Sequence, residues 1–547
     1  MKKEEFVTYR SDSFDATTIP EQLYASLAAY RHQCVARIFN GTIERRITYQ
    51  ELYNDVMRLC ELFASNQKSH IAFMCDFTYE FICLFLAVTC TGNIAIPINP
   101  HLNGGELNNK LSYADVEQII VDSKYTRLIS GSIVPPCVGK IIETNTGYSS
   151  VSSSHMSRVC GINLDPSSCA AMFFTSGTTG KNKLVMLTHE NLLSNISSLC
   201  KHICFFEDDS IIPFLPNYHV LGIITGVFSA LVVGGTLCIS RGQGYIFEDL
   251  LHYQPTIMVI VPIIAKIIYQ RIMRDVMQSV ISEQLYEGTV TADCFRYVNS
   301  EVAHILFDRC KNDLGGRIRM ILCGGSSIEH SVIHFFNAIG FDFLQAYGLT
   351  ECSPVVSLNQ PQFNNWKSCG RVIPGVQVEI RNGIICVKGS NVFSGYYNDE
   401  VTTQNSFVEG WFVTGDIGFF DNQNYLHVVG RTDELIVLSN GENVNPIELE
   451  NLIASSSAII DSIVVFRQSC ESDVLAAAIT TSLQYITLNR KTVAELVQEN
   501  ITRVNNSLPT FQRIQKFYLL DEFPLKQGMG KIERSKLALY LKEGILV

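Results

Sequence analysis

The chain has 547 residues, a formal net charge of −11 from 42 Lys and Arg against 53 Asp and Glu, and 47% hydrophobic residues. This length exceeds one hydrophobic core and predicts two or more domains. The apolar content excludes a disordered chain, and an acidic chain without a basic block is not expected to bind nucleic acid.

The 18 cysteines are scattered, without a CxxC pair or zinc spacing. This pattern favours reduced, mostly buried thiols in a cytoplasmic protein. The start, Met1 to Val7, lacks the apolar core of a signal peptide. Residues 220–239 carry no formal charge and are long enough to cross a bilayer. Because Gly234-Gly235 interrupts them, we expect a buried helix at 221–232 and a strand at 236–239, with no transmembrane segment and at most weak membrane-surface contact.

From about residue 45 to 240, short apolar runs alternate with helical periodicity. The predicted elements are strand 71–75, helix 78–90, strand 94–100, helix 106–114 and strand 118–122. A second alternating series consists of strand 256–261, a helical region to about 312, strand 319–323, helix 329–338 and strand 342–345. Such alternation predicts mostly parallel sheets covered on both faces.

After Gly370 the pattern changes to short strands at 377–380, 384–387 and 425–429, divided by Gly/Asn turns. They predict a β-rich subdomain, and a compact α+β tail runs from about 434. The predicted fold class is therefore α/β, with a large N-terminal domain of two parallel-sheet subdomains plus a β-rich subdomain, and a small α+β C-terminal domain.

A Ser/Thr/Gly run, Thr175-Ser-Gly-Thr-Thr-Gly-Lys-Asn-Lys183, separates a predicted strand at 169–174 from ordered structure after 184. Its glycines let backbone N–H groups turn toward a ligand, and its hydroxyls and ammonium groups suit phosphate. It is not a Walker A loop, because Thr175 stands where a glycine is needed and Asn182 where Ser or Thr is needed. On its own, the run is also compatible with a flexible surface loop.

Two further motifs follow strands of the second series. Gly324-Gly-Ser-Ser327 places exposed backbone at the carboxyl edge of a sheet, where ligands of such folds bind; a plain tight turn is the alternative. Gln345-Ala-Tyr-Gly-Leu-Thr-Glu-Cys352 combines an aromatic face, a hydroxyl and a carboxylate. Glu351 suits Mg²⁺, which proteins bind through one or two carboxylates, although a solvated loop charge is the ordinary reading of a lone glutamate.

Three residues near the C-terminal part complete the set. Asp416, expected on a rigid turn, and Arg431, at a strand end, suit ribose hydroxyls, although a turn Asp and a surface Arg are the ordinary alternatives. Lys531 lies on a glycine-rich stretch, Gly528-Met-Gly-Lys531. It is either simply exposed or able to close over an anionic reaction centre.

The ordered set of these motifs resembles the AMP-forming acyl-adenylate synthetase superfamily, which includes acyl-CoA synthetases, adenylation domains of peptide synthetases and luciferases. The resemblance covers about residues 45 to 540. Members make an acyl-AMP and pyrophosphate from a carboxylate and ATP, then pass the acyl group to a thiol. It implies an adenylation domain at 1–430, a hinge at 431–433 and a mobile C-terminal domain at 434–547.

The resemblance also implies the role of individual residues. The β- and γ-phosphates of ATP are expected at Thr175, Ser176, Gly177, Thr178, Thr179, Gly180 and Lys183. Adenine is expected between two segments, Gly324, Gly325, Ser326 and Gln345, Ala346, Tyr347, Gly348. The ribose is expected at Asp416 and Arg431, and the α-phosphate at Thr350. Mg²⁺ is expected at Glu351 and Thr178.

Catalysis in this family works by positioning and electrostatics, without a protein nucleophile. Lys531 is implied to contact the substrate carboxylate and the α-phosphate, and the cysteines are not expected to be catalytic. Rotation about Asp433 is implied to withdraw Lys531 and to bring 439–445 to the site, where Gly441 lets a pantetheine arm pass. The chain departs from the family where Asn182 and Leu184 replace the usual Pro and Gly around Lys183, which puts loop geometry and ATP affinity in doubt.

The segments Tyr347–Ser357 and Leu438–Val444 look most like those of the long-chain fatty acyl branch of the family, so the resemblance implies a medium- or long-chain fatty acid as the substrate. The stretch 215–222 contains no carboxylate, and a buried ammonium without a partner is costly, so an α-amino acid is not expected. His219 matches a family position that borders the acid, with a satisfied core histidine as the alternative. The apolar helix after it suits an acyl chain or ordinary core packing.

The expected acceptor is the pantetheine thiol of coenzyme A. A phosphopantetheinyl acyl carrier protein is the alternative acceptor, because both present the same thiol. A non-catalytic acyl or nucleotide sensor is a remote alternative, against which the presence of Lys531 argues.

Overall fold

The structure is a computed structural model that describes residues 16–64, 68–130, 138–144, 164–176, 182–281, 308–438, 442–457, 459–468, 474–481, 490–521, 523 and 537. The strands are β1 (Cys34–Phe39), β2 (Glu44–Thr48), β3 (His70–Met74), β4 (Ile94–Pro97), β5 (Gln118–Val121), β6 (Lys140–Glu143), β7 (Cys169–Ser176), β8 (Asn182–Thr188), β9 (Ser210–Pro213), β10 (Thr236–Ile239), β11 (Ile257–Ile260), β12 (Met320–Cys323), β13 (Asp342–Gly348), β14 (Val355–Leu358), β15 (Arg371–Val372), β16 (Gln377–Arg381), β17 (Ile384–Lys388), β18 (Gly395–Tyr396), β19 (Phe407–Val408), β20 (Trp411–Phe420), β21 (Leu426–Arg431), β22 (Ile436–Val437), β23 (Asn443–Val444), β24 (Ile460–Gln468), β25 (Val474–Thr481) and β26 (Lys516–Leu519).

The α-helices are α1 (Ile19–Tyr30), α2 (Tyr49–Cys60), α3 (Tyr79–Cys90), α4 (Gly104–Tyr113), α5 (Thr126–Ser130), α6 (His189–His202), α7 (Val220–Gly222), α8 (Ser229–Val233), α9 (Ile246–Tyr253), α10 (Pro262–Ile281), α11 (His330–Ala338), α12 (Glu400–Asn405), α13 (Pro446–Ser455) and α14 (Arg490–Asn505). A π-helical segment, Ile223–Phe228, joins α7 to α8.

Two large sheets form the α/β part of the chain, as the sequence predicts. The nine-stranded sheet has the order β15-β14-β13-β12-β11-β9-β10-β1-β2, and the seven-stranded sheet has the order β18-β8-β7-β4-β3-β5-β6. Pairing is parallel from β13 to β1 and from β7 to β6, and antiparallel at the remaining edges. Strands such as β11 and β12 are buried throughout, which explains their continuous apolar sequences.

Threonine caps fix where several helices begin. The side chains of Thr48, Thr78 and Thr188 each accept a hydrogen bond from a backbone N–H in the first turn of α2, α3 and α6. Such caps satisfy donors that have no partner within the helix. The sequence analysis assigned no element before about residue 45, whereas α1 and β1 lie there, and β1 pairs in parallel with β10.

The segment tested for a membrane span is divided as predicted. It forms α7, the π-helical segment and α8, and ends at Gly234, whose φ of 79° is left-handed; β10 follows. Within the described residues, no helix combines the length and apolar character that crossing a bilayer requires.

The β-rich subdomain is an antiparallel sheet of β16, β17, β20 and β19, with β21 paired to β20. Asp416 lies within β20 rather than on the predicted turn, and it stands opposite Arg431 of β21. The glycines that suggested a turn are accommodated in the strand: Gly415 has a φ of 75°, and the register shifts between Ile417 and Gly418, as at a β-bulge.

A separate hydrophobic core begins at Val444. It is built from α13, α14 and the sheet β24-β25-β26, with buried residues such as Ile453, Ile479 and Val497. The larger core, by contrast, gathers buried residues from Ile19 to Leu426. Two cores are what a two-domain chain needs, and the boundaries 1–430, 431–433 and 434–547 remain predictions.

Candidate active site

The phosphate-loop sequence forms the end of a β-hairpin. Strands β7 and β8 pair antiparallel up to Thr175 opposite Lys183 and Ser176 opposite Asn182. Five residues join them, and these include four of the predicted phosphate ligands: Gly177, Thr178, Thr179 and Gly180, which lie outside the described residues. The hairpin places Lys183 at the mouth of the loop.

Tyr396 brings Lys183 and Glu351 together. The Lys183 Nζ lies 4.8 Å from the centroid of the Tyr396 ring, and the Tyr396 hydroxyl donates a hydrogen bond to Glu351 Oε1 at 2.9 Å. Burial, and next the negative charge of Glu351, raise the pKa of Tyr396, so its hydroxyl stays a donor. The sequence analysis missed Tyr396; its local signal is the pair of tyrosines after Gly395.

The loop that carries Thr350 and Glu351 is fixed by neighbouring asparagines. It is a 3₁₀ turn, Thr350–Cys352, and the carbonyl of Cys352 accepts hydrogen bonds from the side chains of Asn195 and Asn391. The Glu351 carbonyl also accepts from the Phe393 N–H at 2.8 Å. These bonds hold a polar loop in place at the end of a buried strand.

A second carboxylate, Asp416, is bound from two sides. Its Oδ2 accepts a hydrogen bond from the Tyr347 hydroxyl at 2.6 Å, and its Oδ1 lies 2.7 Å from Arg431 Nη1. Burial raises the pKa of Asp416, against the opposing effect of Arg431, and the charge of Glu351 raises it further. The two carboxylates are therefore close enough to interact, and Tyr396 links Glu351 to Lys183. We call the region around these side chains the cleft.

The two predicted adenine segments are neighbours. Strands β12 and β13 pair with Cys323 opposite Gln345, which sets Gly324, Gly325 and Ser326 beside Gln345, Ala346, Tyr347 and Gly348. A Cβ added to Gly324 would lie 3.5 Å from the Cβ of Ala346 and 3.6 Å from Leu221 Cδ2. Gly325 and Ser326 are exposed, so this edge is open to a ligand.

His219 lies at the start of the helix that approaches this edge. It is the N-cap of α7, and its ring is 4.7 Å from that of Tyr218. Its Nε2 is buried without a hydrogen-bond partner among the described residues. Burial lowers the pKa of His219 to about 4, so the imidazole is neutral near pH 7 and does not bring a positive charge to the site.

Three predicted site residues remain: Asp433, Gly441 and Lys531. Asp433 is exposed, and its Oδ1 accepts from Arg431 Nε at 3.1 Å; its role as a hinge stays a prediction. Gly441 and Lys531 lie outside the described residues, so their roles stay predictions too.

Magnesium is compatible with the donor set. The described residues contain no group of three His, Cys, Asp or Glu side chains that would hold a metal by themselves. Mg²⁺ rarely uses such cages and is bound instead by one or two carboxylates together with substrate phosphates. Glu351 is the carboxylate that would hold it, and the bound ion would neutralise phosphate oxygens.

Two profiles of known protein families match this chain. The family profile described as "AMP-binding enzyme" matches residues 26–397, and that of an "AMP-binding enzyme C-terminal domain" matches residues 433–535. Long-chain-fatty-acid–CoA ligase FadD15 of Mycobacterium bovis is 26% identical over 427 residues, which are 71% of this chain and 69% of the relative.

One further relative is named for a different acceptor, and one solved structure has a similar fold. A chloroplastic long-chain-fatty-acid–acyl-carrier-protein ligase of Arabidopsis thaliana is 29% identical over 368 residues, 56% of this chain and 50% of that protein. The crystal structure of ATP-bound MatB from Rhodopseudomonas palustris shares the fold, with a TM-score of 0.78 and 22% identity over 96% of this chain and 99% of that chain.

The first profile covers more than half of the chain and includes Lys183, Tyr347, Glu351 and Tyr396, whereas Asp416 and Arg431 lie between the two matched ranges. The chain therefore belongs to the AMP-binding enzyme family, whose members form acyl-adenylates, and it is an AMP-forming acid–thiol ligase.

Proposed function

We propose that this ligase activates a medium- or long-chain fatty acid as acyl-AMP, with release of pyrophosphate, and then transfers the acyl group to the thiol of coenzyme A. The observation that supports the proposal is the grouping of Lys183, Glu351 and Asp416: Tyr396 contacts the first two, and the charge of Glu351 acts on Asp416. Cation, metal-binding carboxylate and ribose-binding carboxylate are the three groups that a magnesium-bound nucleotide requires.

The chemistry follows from the charges of these groups. Lys183 offsets the negative charge of the β- and γ-phosphates, and the Ser and Thr hydroxyls donate hydrogen bonds to them. Glu351 would hold Mg²⁺, which would supply further positive charge to the phosphate oxygens. Asp416 and Arg431 hold the ribose, so that the α-phosphate lies at Thr350. Lys531 stabilises the charge that develops as the carboxylate oxygen attacks phosphorus.

A fatty acid fits the surroundings of His219 better than an amino acid does. The neutral imidazole of His219 carries no charge that could pair with a second charged group on the substrate. The stretch 215–222 likewise supplies no carboxylate for an α-ammonium group. The π-helical segment after it is buried and apolar at Ile223, Ile224, Val227 and Phe228. The relative from Mycobacterium bovis is named for long-chain fatty acids, which supports the same choice.

An acyl carrier protein is the second candidate acceptor. The relative from Arabidopsis thaliana carries that acceptor in its name, and both acceptors present the same pantetheine thiol. The chemistry of the first half-reaction is identical in the two cases.

The proposal is tested by pyrophosphate release from ATP and Mg²⁺ against fatty acids of 6 to 18 carbons, aromatic acids and amino acids. Mass analysis after addition of coenzyme A or of a phosphopantetheinylated carrier protein then identifies the acceptor. We expect release with fatty acids and none with Lys531→Ala. Release with amino acids alone would refute the choice of substrate.

Separate half-reactions test the role of Gly441. We expect Gly441→Leu to reduce thioester formation far more than pyrophosphate release, because a side chain there blocks a slim pantetheine arm. An equal loss in both half-reactions would contradict the expectation that the C-terminal domain takes a different orientation in each of them.

A further inference from the structure

Lys266 joins the larger core to the core that begins at Val444. It lies on α10, whose Ile264, Ala265 and Ile268 belong to the larger core, and its Nζ lies 3.0 Å from Asp461 Oδ1. The same Nζ donates to the Asp461 carbonyl and to Ser462 Oγ, each at 3.1 Å. Asp461 and Ser462 belong to β24, in the core that begins at Val444.

The same ammonium also contacts Glu329, which lies just after the segment Gly324–Ser327. Its Nζ lies 3.2 Å from Glu329 Oε1, and Glu329 is the N-cap residue of α11, two residues after Ser327. The Lys266 side chain is only 19% exposed. One cation therefore joins Glu329, at the start of α11, to β24.

The charges of this cluster depend on both cores being in contact. Burial acts to lower the pKa of Lys266, but the charges of Glu329 and Asp461 outweigh it, and the pKa is raised. Gln270 of α10 also donates to Asp461 Oδ1, at 3.5 Å. Separation of the two cores would leave Lys266 with Glu329 alone and Asp461 without its ammonium.

We propose that Lys266 is a positioning residue that holds the C-terminal core in one orientation against α10 and the start of α11, and thereby sets the balance between adenylation and thioester formation. This inference rests on the proposed function, since it concerns the order of its two half-reactions. Polar contacts between domains normally permit relative motion, and a part-buried charged contact favours one position without locking it.

The test compares the rates of the two half-reactions in Lys266→Met, which removes the ammonium but retains most of the length. Loss of a charge-assisted hydrogen bond to a charged group alters an equilibrium about 10-fold. We therefore expect the ratio of pyrophosphate release to thioester formation to change by about that factor. Lys124→Met is the matched control, because Lys124 pairs with Asp76 of the N-terminal part of the chain rather than with Asp461, and its ratio should equal that of the wild type.

Exchanging the charges of Lys266 and Asp461 distinguishes a positioning role of Lys266 from a general loss of structure. Lys266→Glu alone places three carboxylates together, whereas Lys266→Glu combined with Asp461→Lys restores one ammonium and two carboxylates. We expect the single variant to shift the ratio in the same direction as Lys266→Met, and the double variant to return it toward the wild-type value. Equal effects on both half-reactions, or no recovery in the double variant, would overturn the inference.

A readout that does not depend on activity distinguishes this inference from the proposed function. Proteolytic cleavage between the two cores, within residues 431–444, should be faster in Lys266→Met than in the wild type or Lys124→Met. An absence of pyrophosphate release from the wild type would refute the proposed function, and the cleavage rates would still decide whether Lys266 joins the cores. Unchanged cleavage would overturn the inference.

Discussion

Asp416→Ala removes a carboxylate on which two donors of the cleft depend. The variant leaves the buried Tyr347 hydroxyl without its acceptor and deprives Arg431 of its contact at 2.7 Å. A hydrogen bond to a charged group contributes about 1.5–3 kcal/mol. Because Arg431 remains 30% exposed and keeps Asp433 as a partner, we take the lower value for each bond and expect a loss of about 3 kcal/mol in the free energy of unfolding.

Both tryptophans, Trp366 and Trp411, lie in the part of the chain that contains the cleft, and Trp411 begins β20 itself. Urea denaturation followed by tryptophan fluorescence therefore reports on the right region. If Asp416 also binds the ribose, the kcat/KM for ATP should fall about 100-fold, which corresponds to about 3 kcal/mol. Asp416→Asn retains one acceptor and should lie between the wild type and Asp416→Ala in both assays.

Glu379→Ala is the control for this experiment. Glu379 pairs with Arg381 at 3.0 Å on the surface of the same subdomain, with 49% of its side chain exposed, and such pairs contribute at most about 1 kcal/mol. If Asp416→Ala resembled Glu379→Ala in unfolding and in kcat/KM for ATP, the reasoning about the buried carboxylate would be refuted.

Two further substitutions test the cleft. Tyr396→Phe keeps the ring beside Lys183 but loses the hydrogen bond to the Glu351 carboxylate. For a bond of about 1.5 kcal/mol, the KM for magnesium ATP should rise about tenfold. Tyr397→Phe, whose hydroxyl contacts Asp115 instead, should leave the KM unchanged, and equal effects would contradict the role of Tyr396. Because burial lowers the pKa of His219 to about 4, its contribution to stability is present above the unfolded pKa of about 6.5 and is lost as pH falls toward 4. His219→Asn should therefore reduce the loss of unfolding free energy between pH 7 and pH 5 by about 2 kcal/mol, and an unchanged pH dependence would show that the ring is solvated.

The sequence predicted the parallel sheets well because their strands are buried on both faces and are therefore continuously apolar, as in β11 and β12. It also predicted which loops carry Glu351 and Gly324, since the carboxyl ends of neighbouring parallel strands meet at one edge. Asp416 was misplaced on a turn because its neighbouring glycines suggest one, whereas in the structure they are part of an irregular strand.

Other features depend on contacts that local patterns do not reveal. Tyr396 reaches Glu351 from 45 positions away in the chain, through the pairing of β18 with β8. Lys266 lies in an apolar helix, and its partner Asp461 is 195 positions away. Propensity and periodicity describe neighbours along the chain, so neither contact could be predicted from them.

The side chains of the cleft come from three separate sheets. Lys183 and Tyr396 come from the seven-stranded sheet, Tyr347 from the nine-stranded sheet, and Asp416 from the antiparallel sheet around β20. A nucleotide bound there as proposed would act as a non-covalent cross-link among all three. Saturating ATP at 100 times its Kd should add about 2.7 kcal/mol to their shared stability, so substrate availability would also govern how long the enzyme survives heat or proteases.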